Sequence, residues 1–185
     1  MCKLKKLEFE DVKSRTLSND ELKSKKRNPV YFICENIRSL YNVGSIFRTS
    51  DALRVKKIFL TGFTGFPPRK EISKVALGAE ESVPWEQCND TGEVITKLKK
   101  QGIKVIALEH TNKSKLFQEY DFQFPVAIVL GHEYEGIKQD TLELCDDSVE
   151  IDMYGIKQSL NVATSVGVIG YELLSQLKLK GQKEK

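Results

Sequence analysis

The sequence predicts a single α/β domain with a mostly parallel sheet and helices on both faces. Two observations carry this expectation. Short apolar runs of strand length recur at 30–34, 57–60, 104–108, 126–130 and 148–151, and helix-like stretches lie between them, near 43–54, 91–101 and 136–145. The strand runs are largely continuous in apolar residues, as expected when both faces of a parallel sheet are buried. At 185 residues the chain is long enough to bury a core without disulfide or metal staples, and short enough to be one domain.

Taken in order, residues 3–27 are rich in Lys and Glu and read as a partly exposed helical arm, giving an expected division into an arm (1–28) and a domain (29–185). Pro29 ends the arm because it disfavours helical geometry at Asn28. Residues 62–70 carry two glycines and a Pro-Pro pair, which is loop chemistry, and Trp85 marks a short extra strand. A final helix is expected from Ser159 to about Leu179, with Ala163, Val166, Gly167 and Gly170 at three-and-four spacing. Small residues in that register allow close approach to another backbone, within the chain or in a second subunit.

Composition excludes several classes. A net charge of +3 and a pI near 8.5 permit nucleic-acid contact without demanding it. Cys2, Cys34, Cys88 and Cys145 form no C-x-x-C pair, and with only His110 and His132 no metal site is expected. Residues 1–15 are charged, so no secretory leader is expected, and the apolar runs are too short to span a bilayer. Scattered cysteines and the lack of an export signal point to the cytoplasm. The chain contains no G-x-G-x-x-G after a strand, no P-loop and no G-x-S-x-G, so Rossmann, P-loop and α/β-hydrolase chemistry lack their signatures.

Chemistry-bearing residues gather in three segments, each placed where an apolar run ends. Gly131-His132-Glu133 follows the 126–130 run, where glycine lets a ligand press on backbone and Glu133 sits at the strand mouth. Ser159 reads as a helix N-cap, which leaves Asn161 in the first turn as an amide free to orient a ligand or side chain. Asn42 and Arg48 lie across a helix start, and Phe47 and Ala52 beside Arg48 look buried. An arginine sunk among apolar neighbours pairs with a phosphate or with a carboxylate such as Glu133 or Asp51.

Together, residues 42–52, 129–137 and 151–163 resemble motifs 1, 2 and 3 of the SpoU/TrmH-type RNA ribose 2′-O-methyltransferases, within the SPOUT (α/β-knot) superfamily, in matching order and spacing over about residues 29–178. The resemblance implies a C-terminal trefoil knot, S-adenosylmethionine as cofactor and homodimers with sites at the interface. It implies that Arg48 is the principal catalytic residue, that Asn42, Glu133, Ser159 and Asn161 arrange the site, and that backbone at Leu108, Glu109, Gly131, Ile151 and Leu160 cups the cofactor. Asp152 stands where the family commonly has proline, and His132 where a small or amide residue is usual.

The implied reaction is attack of a ribose 2′-hydroxyl on an activated methyl carbon. Arginine is a poor general base, so Arg48 is expected to grip phosphate and ribose. Arg38, Arg69 and Lys70 are expected to contact RNA, and a compact target such as tRNA is expected ahead of a large ribosomal site. The alternative is an RNA-binding module that keeps the fold without catalysis; a further one is a small domain acting on a nucleotide without methylation.

Overall fold

The computed structural model describes residues 4–16, 21 and 24–183. Of the expected arm, residues 1–3, 17–20 and 22–23 lie outside these residues; within the rest Phe9–Lys13 forms a short helix, α1. The domain then runs β1 (Asn28–Glu35), α2 (Leu40–Ala52), β2 (Val55–Thr61), α3 (Lys70–Ala76), α4 (Ala79–Ser82), β3 (Trp85–Cys88), α5 (Thr91–Lys100), β4 (Lys104–Leu108), β5 (Lys115–Leu116), β6 (Val126–Leu130), α6 (Gln139–Leu144), β7 (Asp147–Glu150) and α7 (Val162–Lys183).

The seven strands form one sheet in the order β3-β2-β1-β6-β4-β7-β5, and every neighbouring pair is parallel. The central strands are buried on both sides, which is why β6 is apolar at all five positions. Alternate residues feed two cores. Phe32 and Cys34 of β1, with Ile128 and Leu130 of β6, pack on one face against Val43, Ile46 and Phe47 of α2 and Val166, Ile169 and Leu173 of α7. Ile33, Ala127 and Val129 point to the other face, against Val94, Ile95 and Leu98 of α5. Each large side chain buried in this way contributes about 1.5–3 kcal/mol.

Close approaches are set by small residues. A Cβ on Gly44 would meet the Ile72 carbonyl oxygen at 2.5 Å, so α2 and α3 approach backbone to backbone there. On α7, a Cβ at Gly170 would meet Leu53 Cδ1 at 2.2 Å, whereas one at Gly167 would meet nothing within 4 Å. The close-packing expectation therefore holds for Gly170 and not, within this chain, for Gly167.

Several expectations need correction. Helix α3 begins at Lys70, so Lys70 is helical rather than part of the loop, and α3 and α4 occupy a stretch read as irregular. Both are too short to show a helical period. Strand β5 has two residues and no detectable pattern. The final helix starts at Val162, three residues beyond Ser159.

Candidate functional site

A cavity of about 170 Å³ opens at the carboxyl ends of β4, β6 and β7, where an open parallel sheet places ligands. Leu108, Glu109, Gly131, Ile151 and Leu160, the five residues expected to cup a cofactor, all line it, as do Glu133 and Ser159. Its shape depends on the turn after β6. His132 and Gly136 exchange both backbone hydrogen bonds, at 3.0 and 2.9 Å. A Cβ on Gly131 would fall 2.2 Å from the Gly136 carbonyl carbon, so only glycine permits the turn to close back on the strand end. Gly136 itself has φ +69°, and a Cβ there would strike Glu109 Oε2 at 2.3 Å. The Glu109 carboxylate accepts from the N–H of Ile137 at 3.0 Å and of His110 at 2.9 Å, which ties the β4 edge to the β6 turn.

A chain of hydrogen bonds joins the three sequence segments at the mouth of this cavity. Glu133 Oε2 accepts from the Arg38 N–H at 2.9 Å, and Oε1 accepts from the Ser39 N–H at 3.1 Å and from Asn42 Nδ2 at 2.8 Å. Asn42 Oδ1 in turn accepts from Asn161 Nδ2 at 3.0 Å. Asn161 Oδ1 accepts from the N–H groups of Ala163 and Thr164, at 2.9 and 3.3 Å. Asn161 is thus the N-cap of α7, correcting the assignment of that role to Ser159; Ser159 instead lines the cavity. Partial burial acts to raise the Glu133 pKa, but the donors from Arg38, Asn42 and Ser39 outweigh it and hold the carboxyl below its ordinary value. Glu133 is therefore an anion at neutral pH, suited to clamping donors rather than to releasing a proton.

The expected cations stand around this core rather than within it. Arg48 lies on α2 about 9 Å along the axis from Asn42 and does not line the cavity. It is exposed, and so is Ala52, on a ridge that also carries Tyr41. This corrects the half-sunk arginine inferred from its neighbours. Arg48 makes no ion pair among the described residues. Both candidate carboxylates are engaged elsewhere, Glu133 as described and Asp51 by the Ser82 hydroxyl at 2.5 Å. Arg38, Arg69 and Lys70 are exposed and lie on the segments that follow β1 and β2.

Sequence reasoning missed two residues that set the loops. Glu35, buried at the end of β1, accepts from the Lys138 N–H at 3.0 Å and from the Thr141 hydroxyl at 2.6 Å, anchoring the start of α6. Asn36 has φ +56°, and its Oδ1 accepts from the Phe63 N–H at 3.1 Å, holding the loop after β2. A polar Glu-Asn pair closing an apolar strand was the available signal. Among the described residues no cluster of His, Cys, Asp or Glu could hold a metal ion, and no helix is long and apolar enough to cross a membrane.

The SpoU rRNA Methylase family profile matches residues 29–171, which include every element from β1 into α7. The chain belongs to this family. The SpoU resemblance carried by residues 42–52, 129–137 and 151–163 is thereby borne out. Among relatives, the chain is 27% identical over 176 residues to the tRNA (guanosine(18)-2′-O)-methyltransferase of Aquifex aeolicus (95% of this chain, 82% of that one). It is 31% identical over 164 residues to the 23S rRNA (guanosine-2′-O-)-methyltransferase RlmB of Neisseria meningitidis, covering 89% of this chain and 65% of that protein. It is 31% identical over 160 residues to the tRNA (guanosine(18)-2′-O)-methyltransferase of Escherichia coli, covering 84% and 68%. The crystal structure of the Aquifex aeolicus TrmH/SpoU tRNA modifying enzyme superposes with a TM-score of 0.78 at 27% identity, covering 90% of this chain and 87% of that one. This SpoU chain thus shares its parallel α/β architecture with a solved tRNA-modifying enzyme.

Proposed function

We propose that this SpoU-family chain transfers a methyl group from S-adenosylmethionine to a ribose 2′-hydroxyl of RNA, with tRNA as the target, working as a homodimer in the cytoplasm. The observation that carries the reading is the hydrogen-bonded series from Glu133 through Asn42 to Asn161, which brings three separate segments to one cavity mouth. A relative named for methylation of tRNA guanosine 18 aligns over 95% of this chain, which supports a tRNA target.

The cavity fits the cofactor in chemistry. Leu108, Leu130, Ile151 and Leu160 give apolar walls, while Glu109, Glu133 and Glu150 make its field negative, as a sulfonium cation requires. The cofactor supplies an electrophilic methyl carbon when bound. The chain's own residues then have to hold the attacking oxygen in line, and alignment of this kind lowers a barrier by several kcal/mol. Asn42, fixed by Glu133 and Asn161, and Ser159 on the cavity wall arrange the site. Arg48 is assigned the grip on phosphate and ribose, which polarises the hydroxyl; it has no carboxylate partner among the described residues and is open to a phosphate. Arg38, Arg69 and Lys70 extend the positive surface for RNA.

The exposed ridge of Tyr41 and Arg48 on α2, together with the open Gly167 and exposed Tyr171 on α7, offers a face for a second copy. A knotted segment leading into α7 belongs to the same proposal, in keeping with Ser159 and Leu160 lying in the cavity built around the 131–136 turn.

The test is transfer of radiolabelled methyl from S-adenosylmethionine to unfractionated tRNA and, separately, to ribosomal RNA. Label in tRNA that Arg48→Ala abolishes, with cofactor binding retained, is expected. Cofactor and RNA binding without any transfer would favour a non-catalytic binding module.

A further inference from the structure

We propose that the side chains of Phe63, His132 and Tyr134 form a stacking platform that receives a nucleobase of the RNA at the rim of the cofactor cavity, with Phe63 outside the cavity and the other two on its wall. This rests on the RNA-methyltransferase function proposed above. Phe63 is 63% exposed and Tyr134 is 84% exposed, an unusual display of two large rings at adjacent loop tips. The His132 ring stands 5.9 Å from Phe63, edge-on, and 6.0 Å from Tyr134, so the three form one contiguous aromatic surface.

The backbone under these rings is fixed. Asn36 Oδ1 holds the Phe63 N–H, and a Cβ on Gly62 would lie 2.0 Å from that oxygen, so this loop conformation needs glycine at position 62. His132 Nδ1 accepts from the N–H groups of Tyr134 and Glu135 at 3.2 and 3.1 Å. In the neutral ring this places the proton on Nε2, a donor available to a base edge. The backbone that carries Phe63 and Tyr134, and the His132 ring itself, are therefore held in place by hydrogen bonds.

Position separates Phe63 from the cofactor cavity. The cavity spans the ends of β4, β6 and β7, whereas Phe63 follows β2, two strands from β6 in the opposite direction, or about 10 Å. His132 and Tyr134 are shared between cavity wall and platform. A base stacked on Phe63 would thus keep its own ribose near the cavity mouth. Charge agrees with an RNA occupant: Arg38, Arg69 and Lys70 lie on the segments after β1 and β2, exposed and without ion pairs among the described residues. Unstacked RNA bases are held by aromatic faces in this way, with flanking cations on the phosphates.

The test uses methyl transfer to unfractionated tRNA by Phe63→Ala, Tyr134→Ala and the conservative variants Phe63→Tyr and Tyr134→Phe, with S-adenosylmethionine affinity measured by calorimetry. Loss of one stacked base predicts that KM for tRNA rises about 10- to 100-fold in each alanine variant, with kcat changed less. Cofactor affinity should stay within about twofold in Phe63→Ala, whose ring is not part of the cavity lining, and the conservative variants should restore KM. An unchanged KM in alanine variants of a transfer-competent chain overturns the platform and leaves the methyltransferase function standing. A weakened cofactor affinity in Phe63→Ala overturns it too, because that ring would then hold the cofactor's own adenine. If the unaltered chain methylates neither tRNA nor ribosomal RNA, the platform and the underlying function fall together.

Discussion

Replacing Glu133 with alanine removes the acceptor for three donors at once: the Arg38 and Ser39 N–H groups and Asn42 Nδ2. Hydrogen bonds to a charged group contribute about 1.5–3 kcal/mol each when well shielded. Glu133 is only partly buried, so water replaces much of what is lost, and the expected cost falls to about 2 kcal/mol in total. For a chain of this size that lowers Tm by about 4–8 °C. The larger effect is on geometry, because among the described residues the Asn42 side chain then keeps only its bond to Asn161. Thermal unfolding by circular dichroism, paired with methyl transfer to tRNA, reads both effects, and transfer should fall more than a hundredfold. The sign of the pH dependence follows from the lowered pKa. Stability from the ionised carboxylate is complete above the ordinary glutamate value, about 4.3, and is lost as pH falls through the lower folded value. The Tm gap between the wild-type chain and Glu133→Ala should therefore be constant from neutral pH to about 5 and shrink below 4. A Tm shift under 1 °C with transfer intact would refute the reasoning, as would a gap that widens in acid.

Three further perturbations follow from the same contacts. Asn161→Ala should cost about 1 kcal/mol through loss of the α7 cap, and should impair transfer through the broken bond to Asn42; urea unfolding and an activity assay read the two separately. Arg48→Ala should leave stability within about 0.5 kcal/mol, since the side chain is exposed and has no ion pair among the described residues, while abolishing transfer; a large stability loss would show a structural role instead. Gly167→Ala has open space and should stabilise the isolated helix by up to about 1 kcal/mol, whereas Gly170→Ala meets Leu53 and should destabilise by about 1–3 kcal/mol, both read by chemical unfolding. A strong loss of stability in Gly167→Ala would indicate that a second subunit covers that position.

Elements buried on both sides were legible in sequence because parallel strands need continuous apolar residues; β6 appears at its full length, and β4 likewise. Some elements with only one or two buried residues were not. Helix α3 buries only Ile72 and Ala76, and β5 is defined by pairing to β7 rather than by any local pattern. At the site, strand ends were the reliable signal, and the residues placed at them line one cavity. The start of α7 was misread because serine and asparagine both cap helices, and the choice between them is made by a tertiary partner, Asn42, 119 positions away. Arg48 was misread because sequence neighbours on a helix face different ways. The three-and-four register from Tyr41 would have placed it on the exposed ridge.

Mass spectrometry of nucleosides from tRNA incubated with the chain and S-adenosylmethionine tests the central claim most directly. The expected product carries its added methyl on the ribose, seen as a 2′-O-methylnucleoside that is absent with Arg48→Ala. A methyl group found on a base, or equal product from the Arg48→Ala chain, would contradict it.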